Sequence, residues 1–181
     1  RDRLAQLQEA TRRVEAVGTT VAAVQELLKV PKLRGTLGEV WLEELLRQVF
    51  PEPLYAMQHG FRSGERVDAV LRIGDRLVPI DAKFPLEACQ RMLAADPANA
   101  ARERREFRRS LRARVDEIAS KYIRPDEGTY DFAFMYVPAE NVYYEAAVRG
   151  DAPEGEESVV AYALGRKVIP VSPNTFYAYL A

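Results

Sequence analysis

Arg66-Val67-Asp68-Ala69-Val70-Leu71-Arg72-Ile73, then Gly74-Asp75, then Arg76-Leu77-Val78-Pro79-Ile80-Asp81-Ala82-Lys83 is the stretch that decides the fold. Two runs of β-type residues flank a Gly-Asp pair, which predicts a hairpin closed by a tight two-residue turn. With that turn Ile73 faces Arg76, and counting outward sets Asp68 directly opposite Asp81. Side chains alternate along a strand, so Lys83 joins them on the same face. Like charges across a strand pair are destabilising. Two facing carboxylates with an ammonium two residues on therefore ask for a metal cation to neutralise them, the layout of metal-dependent phosphodiester chemistry.

Outward from the hairpin, Tyr55 to Phe61 reads as a preceding strand. Before it, a helix is expected from Thr36 to about Val49, with Leu37, Trp41, Leu45 and Val49 as its buried stripe. Thr36 and Glu39 have capping-box spacing. After the hairpin, Phe84-Pro85 breaks the strand and Leu86–Leu93 suits a short helix. A long helix over residues 98–122 turns Phe107, Leu111, Val115, Ile118 and Tyr122 inward. Asp131–Val137 is apolar on both alternations, as a central strand buried on both faces requires. Asn141–Val148 reads as helical and Asp151–Glu157 as an acidic loop. Val159–Leu164 suits a helix, Lys167–Val171 a strand and Asn174–Leu180 a last helix. The order predicts an α/β fold, a mixed sheet flanked by helices.

Residues 1–30 lack proline, and Leu7, Ala10, Val14, Val17, Val21, Val24 and Leu28 recur at alternating spacings of three and four. This heptad seam predicts one helix, either folded on its own domain or the end of a self-associating coiled coil. Two domains follow: the helix at 1–30 and an α/β domain at 31–181. With 48% hydrophobic and 29% charged residues, the composition is that of an ordinary globular protein. A net charge of −1 gives no global signature of nucleic-acid binding, so any such surface must come from local clustering. The single cysteine, Cys89, excludes an internal disulfide and a cysteine-based zinc site, and fits a reducing, intracellular setting. No run approaches the ~20 apolar residues needed to span a bilayer.

Phosphodiester hydrolysis needs an activated water, a stabilised phosphate and a stabilised leaving oxygen. Mg²⁺, with Mn²⁺ as the alternative, prefers oxygen ligands and keeps several waters. Asp68 and Asp81 are the candidate ligands, with the Ala82 carbonyl completing the shell and Lys83 addressing the water or phosphate, its proton affinity lowered by the metal.

This arrangement resembles the PD-(D/E)xK nuclease superfamily and its restriction-endonuclease-like core. Asp68 matches the first Asp, Asp81 the second acidic position and Lys83 the Lys. Val67 stands where that superfamily usually has Pro, a structural position. Many members place a Glu on the helix before the hairpin, which makes Glu39 the third candidate metal ligand. The resemblance narrows with Arg34-Gly35-Thr36-Leu37-Gly38-Glu39, Gln58, Ile80-Asp81-Ala82-Lys83-Phe84-Pro85-Leu86, Phe134-Met135-Tyr136-Val137-Pro138-Ala139-Glu140 and Val171-Ser172-Pro173-Asn174-Thr175. These blocks occur in the order seen in the RmuC family, which the chain resembles from about Arg34 onward. That family often has Trp before the Gly-Glu; here Leu37 holds the place and Trp41 follows. The resemblance implies DNA as partner, a role in recombination, coiled-coil self-association and a cytoplasmic setting. Members frequently carry an N-terminal membrane anchor, so the full-length protein is open to anchorage.

Each residue also has a plainer reading. Asp81 and Lys83 could form a surface ion pair, and Glu39 could simply complete the cap, with Glu43 one turn on able to substitute as ligand. Gln58 could orient water or phosphate, or make ordinary strand hydrogen bonds. His59 is expected on the opposite sheet face and Cys89 in the core. Seven arginines fall within residues 102–114, and Arg102, Arg105, Arg109 and Arg112 recur at helical spacing. They form either a solvated face or a phosphate-tracking edge. Three functions follow: a Mg²⁺-dependent DNA nuclease, a nuclease-fold module that binds DNA with little or no cutting, or, less favoured, a protein-interaction domain that uses the heptad seam.

Overall fold

The structure, a computed structural model, describes residues 37–138, 140–144 and 156–180. The expected N-terminal helix, its self-association and the Thr36 cap lie outside the described residues.

Helix α1 spans Leu37–Val49. Strands β1 (Tyr55–Gly60), β2 (Arg66–Ile73) and β3 (Arg76–Asp81) follow. Helices α2 (Leu86–Ala94) and α3 (Ala100–Tyr122) lead, through a short 3₁₀ turn at Pro125–Glu127, to β4 (Ala133–Tyr136). Helix α4 (Glu140–Tyr143), helix α5 (Val159–Gly165), β5 (Val168–Val171) and helix α6 (Pro173–Leu180) complete the order. The five strands form one mixed sheet in the order β1-β2-β3-β4-β5. The first three pair antiparallel, and β4 joins β3 and β5 parallel to both. Helices occupy the crossovers, as parallel pairing requires.

The hairpin forms as expected. Ile73 pairs with Arg76, and the register runs outward through Arg72–Leu77, Leu71–Val78 and Val70–Pro79 to Ala69–Ile80. Gly74 takes φ +63°, the sign that a type II′ turn demands of its first central residue. One further step sets Asp68 against Asp81. Strand β3 ends at Asp81, so Lys83 lies just past the ladder rather than on it.

Alternation along the strands feeds two cores. Ala69, Leu71, Val78, Ile80, Phe134 and Tyr136 pack with Leu42 and Leu46 of α1 and Phe176 of α6. Val70, Ala133, Met135 and Val137 pack instead with α2, α3 and α5, the five predicted inward residues of α3 among them. Cys89 lies in that second core, as expected. Every position of β4 is buried, which explains a run apolar on both alternations. One detail differs from expectation. The centre of the buried stripe on α1 is Leu42 and Leu46, with Trp41, Leu45 and Val49 only half-buried beside them. The helix is rolled by about one residue, because its apolar arc is wider than one stripe and the sheet selects which part is covered.

Candidate active site

The end of the hairpin brings the predicted residues together. Asp68 and Asp81 are both fully buried, although carboxylates are seldom so unless paired. Asp68 accepts a hydrogen bond from the Ala82 backbone N–H at 2.8 Å through Oδ2. Lys83 Nζ lies 2.9 Å from Oδ1 of Asp68. That ion pair is the contact found for Oδ1 among the described residues. Asp81 Oδ2 accepts from the Lys83 backbone N–H at 3.2 Å, which turns the chain just past the strand end.

Helix α1 reaches the same place from the other core. Gly38 lies so close to the sheet that a Cβ on it would fall 2.7 Å from the Ala82 carbonyl oxygen. Only glycine lets the first turn of α1 sit there, and the next residue is Glu39. Glu39 Oε2 accepts from the Gln58 side-chain amide at 2.9 Å. Gln58 itself holds φ +55°, a left-handed conformation that costs a non-glycine residue free energy. Gln58 thus meets Glu39 through its side chain, across nineteen residues. Partial burial and the charge of Asp68 raise the Glu39 carboxyl above its usual range, with Lys83 opposing. Glu39, Asp68 and Lys83 therefore share one electrostatic neighbourhood. His59 packs edge-on against Phe61 and takes no part in it.

The sequence reading missed the residue that holds Asp81. Arg114 of α3 grips that carboxylate with a fork: Nε donates to Oδ2 at 2.9 Å and Nη2 donates to Oδ1. Its remaining nitrogen, Nη1, donates to Glu117, which also accepts from Lys121 at 2.9 Å. A signal was present. Arg114 stands three residues after Leu111 and four before Ile118, on the inward side of an amphipathic helix, where a guanidinium needs a buried acid. Burial pushes the Asp81 carboxyl up to about 6, against the pull of Arg114. For Lys83, burial works against the charge, but the hydrogen bond and charge of Asp68, with Asp81, carry its ammonium above the ordinary lysine range.

Among the described residues, no three acidic, histidine or cysteine side chains cluster closely enough to hold a metal ion. The chemistry of the donors nevertheless suits a hard divalent cation. Two fully buried carboxylates end the hairpin, while the Ala82 carbonyl accepts from the Phe84 N–H at 3.1 Å. An ion that keeps several waters needs few protein ligands.

Of the four predicted phosphate-contacting arginines, Arg105 and Arg109 are exposed, with no ion-pair partner among the described residues. Arg102 pairs with Glu103 at 2.9 Å. Arg112 is half-buried; it donates to the Glu157 carbonyl and lies over the Tyr162 ring.

Comparison with known proteins gives a consistent result. The model of the RmuC family matches residues 1–181. A DNA recombination protein RmuC homolog from Xylella fastidiosa is 32% identical over 163 residues, 82% of this chain and 35% of that protein. The Pseudomonas aeruginosa protein of the same name is 29% identical over 91% of this chain and 37% of its own length. The one from Neisseria meningitidis is 29% identical over 82% of this chain and 26% of its own length. The chain thus spans roughly a third of the curated relatives it matches. No solved structure gives a significant match.

Proposed function

This chain belongs to the RmuC family, and from that premise we propose that it acts in DNA recombination as a divalent-metal-dependent DNA phosphodiesterase with a PD-(D/E)xK-type site. The observation that carries this reading is the fully buried Asp68 and Asp81 at one strand end, with Lys83 2.9 Å from Asp68 and Glu39 within their electrostatic reach. Nothing in the packing of an α/β sandwich asks for two fully buried carboxylates opposite each other.

Asp68 and Asp81 would hold Mg²⁺ or Mn²⁺, with the Ala82 carbonyl beside them and Glu39 at the rim. When bound, such an ion supplies a Lewis acid for the phosphate and acidifies a water. Lys83 has a half-exposed side chain and carries a positive charge, so it would orient the water or neutralise phosphate charge. Gln58 fixes the Glu39 carboxylate through its amide. Arg105 and Arg109 lie free to follow the DNA backbone on the exposed side of α3.

A second reading has one observation behind it. Arg114 already takes both oxygens of Asp81, so the acid pair is neutralised within the chain. That favours a DNA-binding module that keeps the fold and cuts little.

Labelled duplex, single-stranded and branched DNA incubated with the protein and Mg²⁺ or Mn²⁺ tests the choice. Under the nuclease reading, cleavage is expected with metal, is lost with EDTA, and is lost in Lys83→Ala, whose circular dichroism stays that of the parent. Cleavage unaffected by EDTA or by Lys83→Ala would refute it. Salt-sensitive DNA binding with no calorimetric signal for either metal supports the second reading.

A further inference from the structure

We propose that Arg114 is the exchangeable counter-ion of the acid pair: it competes with a divalent cation for Asp81 and, once released, presents its guanidinium to the DNA phosphate. The inference rests on the reading of Asp68 and Asp81 as cation ligands and adds the residue that regulates them.

The charges come first. Asp68 and Asp81 bring two negative charges into a fully buried place, and Lys83 and Arg114 bring two positive ones. The cluster of four is balanced as it stands. Lys83 pairs with Asp68 through one ammonium, with 46% of its side chain exposed, whereas Arg114 is only 14% exposed and grips Asp81 at both oxygens. A divalent cation at the pair would meet the guanidinium at hydrogen-bond range from the same carboxylate, and like charges at that range repel strongly outside bulk water. Arg114 must therefore yield some or all of its hold on Asp81.

Its surroundings determine where it goes. Nη1 stays on Glu117, which accepts in turn from Lys121, and Lys121 lies 3.5 Å from Glu65 just before β2. This line of alternating charges tethers the guanidinium beside the hairpin while leaving the Nε–Nη2 edge available. The edge that fits a carboxylate bidentately fits two phosphate oxygens equally well. A cation entering the acid pair thus creates, through Arg114, an anion-binding edge next to it.

The test uses the full chain, with Arg114→Gln and Arg114→Lys, titrated calorimetrically with Mn²⁺ alone. Binding of labelled duplex DNA is then measured with Ca²⁺ and without it. A positive group at this range weakens a carboxylate's hold on a proton by roughly ten- to a thousandfold, and a metal competes for the same oxygens. Arg114→Gln is expected to bind Mn²⁺ at least about tenfold more tightly and to lose the Ca²⁺-dependent gain in DNA affinity. Arg114→Lys, with charge but no fork, is expected to fall between. If Arg114→Gln fails to fold, the lysine variant decides by the same criteria. Unchanged Mn²⁺ affinity in the folded variants, with Mn²⁺ binding abolished in Asp81→Asn, overturns this inference and leaves the acid-pair reading standing. No Mn²⁺ binding to the parent chain overturns both. A merely structural Arg114 would lower the melting temperature and leave Mn²⁺ affinity where it was.

Discussion

Asp81 and Arg114 illustrate why loss of activity and loss of fold must be separated at this site. Truncating Asp81 leaves the Nε–Nη2 edge of a guanidinium that is only 14% exposed without its acid. Removing one partner of a buried pair costs about 3 kcal/mol or more. Asp81→Ala is therefore expected to lower the melting temperature by roughly 10 °C, at the ~2–4 °C per kcal/mol of a domain this size. Lys83→Ala also leaves a buried acid without its cation, but the lysine side chain is 46% exposed and its removal admits water to Asp68, so a smaller shift is expected; differential scanning calorimetry of the two variants checks the order, and equal shifts would contradict it. Gly38→Ala is the complementary case. Its Cβ would strike the Ala82 carbonyl, so helix α1 must back away, at a cost of about 1–3 kcal/mol. Glu39 moves with the helix, so cleavage should fall in Gly38→Ala beyond what the unfolded fraction explains. At this scale the facing aspartates were legible, because strand alternation and a two-residue turn leave one register, whereas Lys83 reaches Asp68 from just past the strand end. Arg114 was not read as part of the site, since seven arginines in thirteen residues hide the one whose phase points inward.

Two of the sequence blocks that carry the family likeness act at the level of elements rather than chemistry. Ser172 Oγ accepts from the Thr175 N–H at 3.2 Å, and Thr175 Oγ1 accepts from the Ser172 N–H at 2.7 Å, a reciprocal cap on α6. Glu140, which opens α4, adds a carboxylate at the same helix start by accepting from the Asn174 N–H at 2.8 Å. The negative charge also complements the positive end of the helix. Glu140→Gln keeps the acceptor and should cost little, whereas Glu140→Ala should cost about 1 kcal/mol, read as a shift in the urea midpoint with unchanged slope. Equal midpoints for Glu140→Ala and the parent would show that the cap contributes nothing. Helix α3 was fully legible: Phe107, Leu111, Val115, Ile118 and Tyr122 sit in one narrow stripe between charged residues, so only one face can be buried. Helix α1 was legible as a helix but not in its phase. Val40, Trp41, Leu42, Leu45, Leu46 and Val49 spread over more than one side, and only the sheet decides that Val40 stays 54% exposed while Leu42 is covered.

For the whole molecule, a net charge of −1 means that long-range attraction to DNA cannot come from the total. It must come from the arrangement, and the acidic residues are not spread evenly against it. The first half of α3 exposes Arg104, Arg105 and Arg109 without ion-pair partners among the described residues, on the helix that also delivers Arg114 to the hairpin. One element thus carries both the exposed arginines and a group at the acid pair. The mixed sheet flanked by helices was legible in the succession of elements, whereas the approach of α3 to Asp81 depends on long-range packing that no local pattern encodes. Phosphate contacts release counter-ions, and each adds about 0.9 to the slope of log affinity against log salt for duplex DNA. Reversing both charges in Arg105→Glu/Arg109→Glu is expected to weaken duplex binding across all sequences and to reduce that slope by about 2. The positions are exposed, so the melting temperature should hold, and Mn²⁺ affinity should hold with it because neither side chain touches the hairpin. Fluorescence anisotropy of a labelled duplex at several salt concentrations measures the slope directly. A slope unchanged in the double variant would mean that DNA does not run along α3, whatever Asp68, Asp81 and Lys83 do to its phosphates.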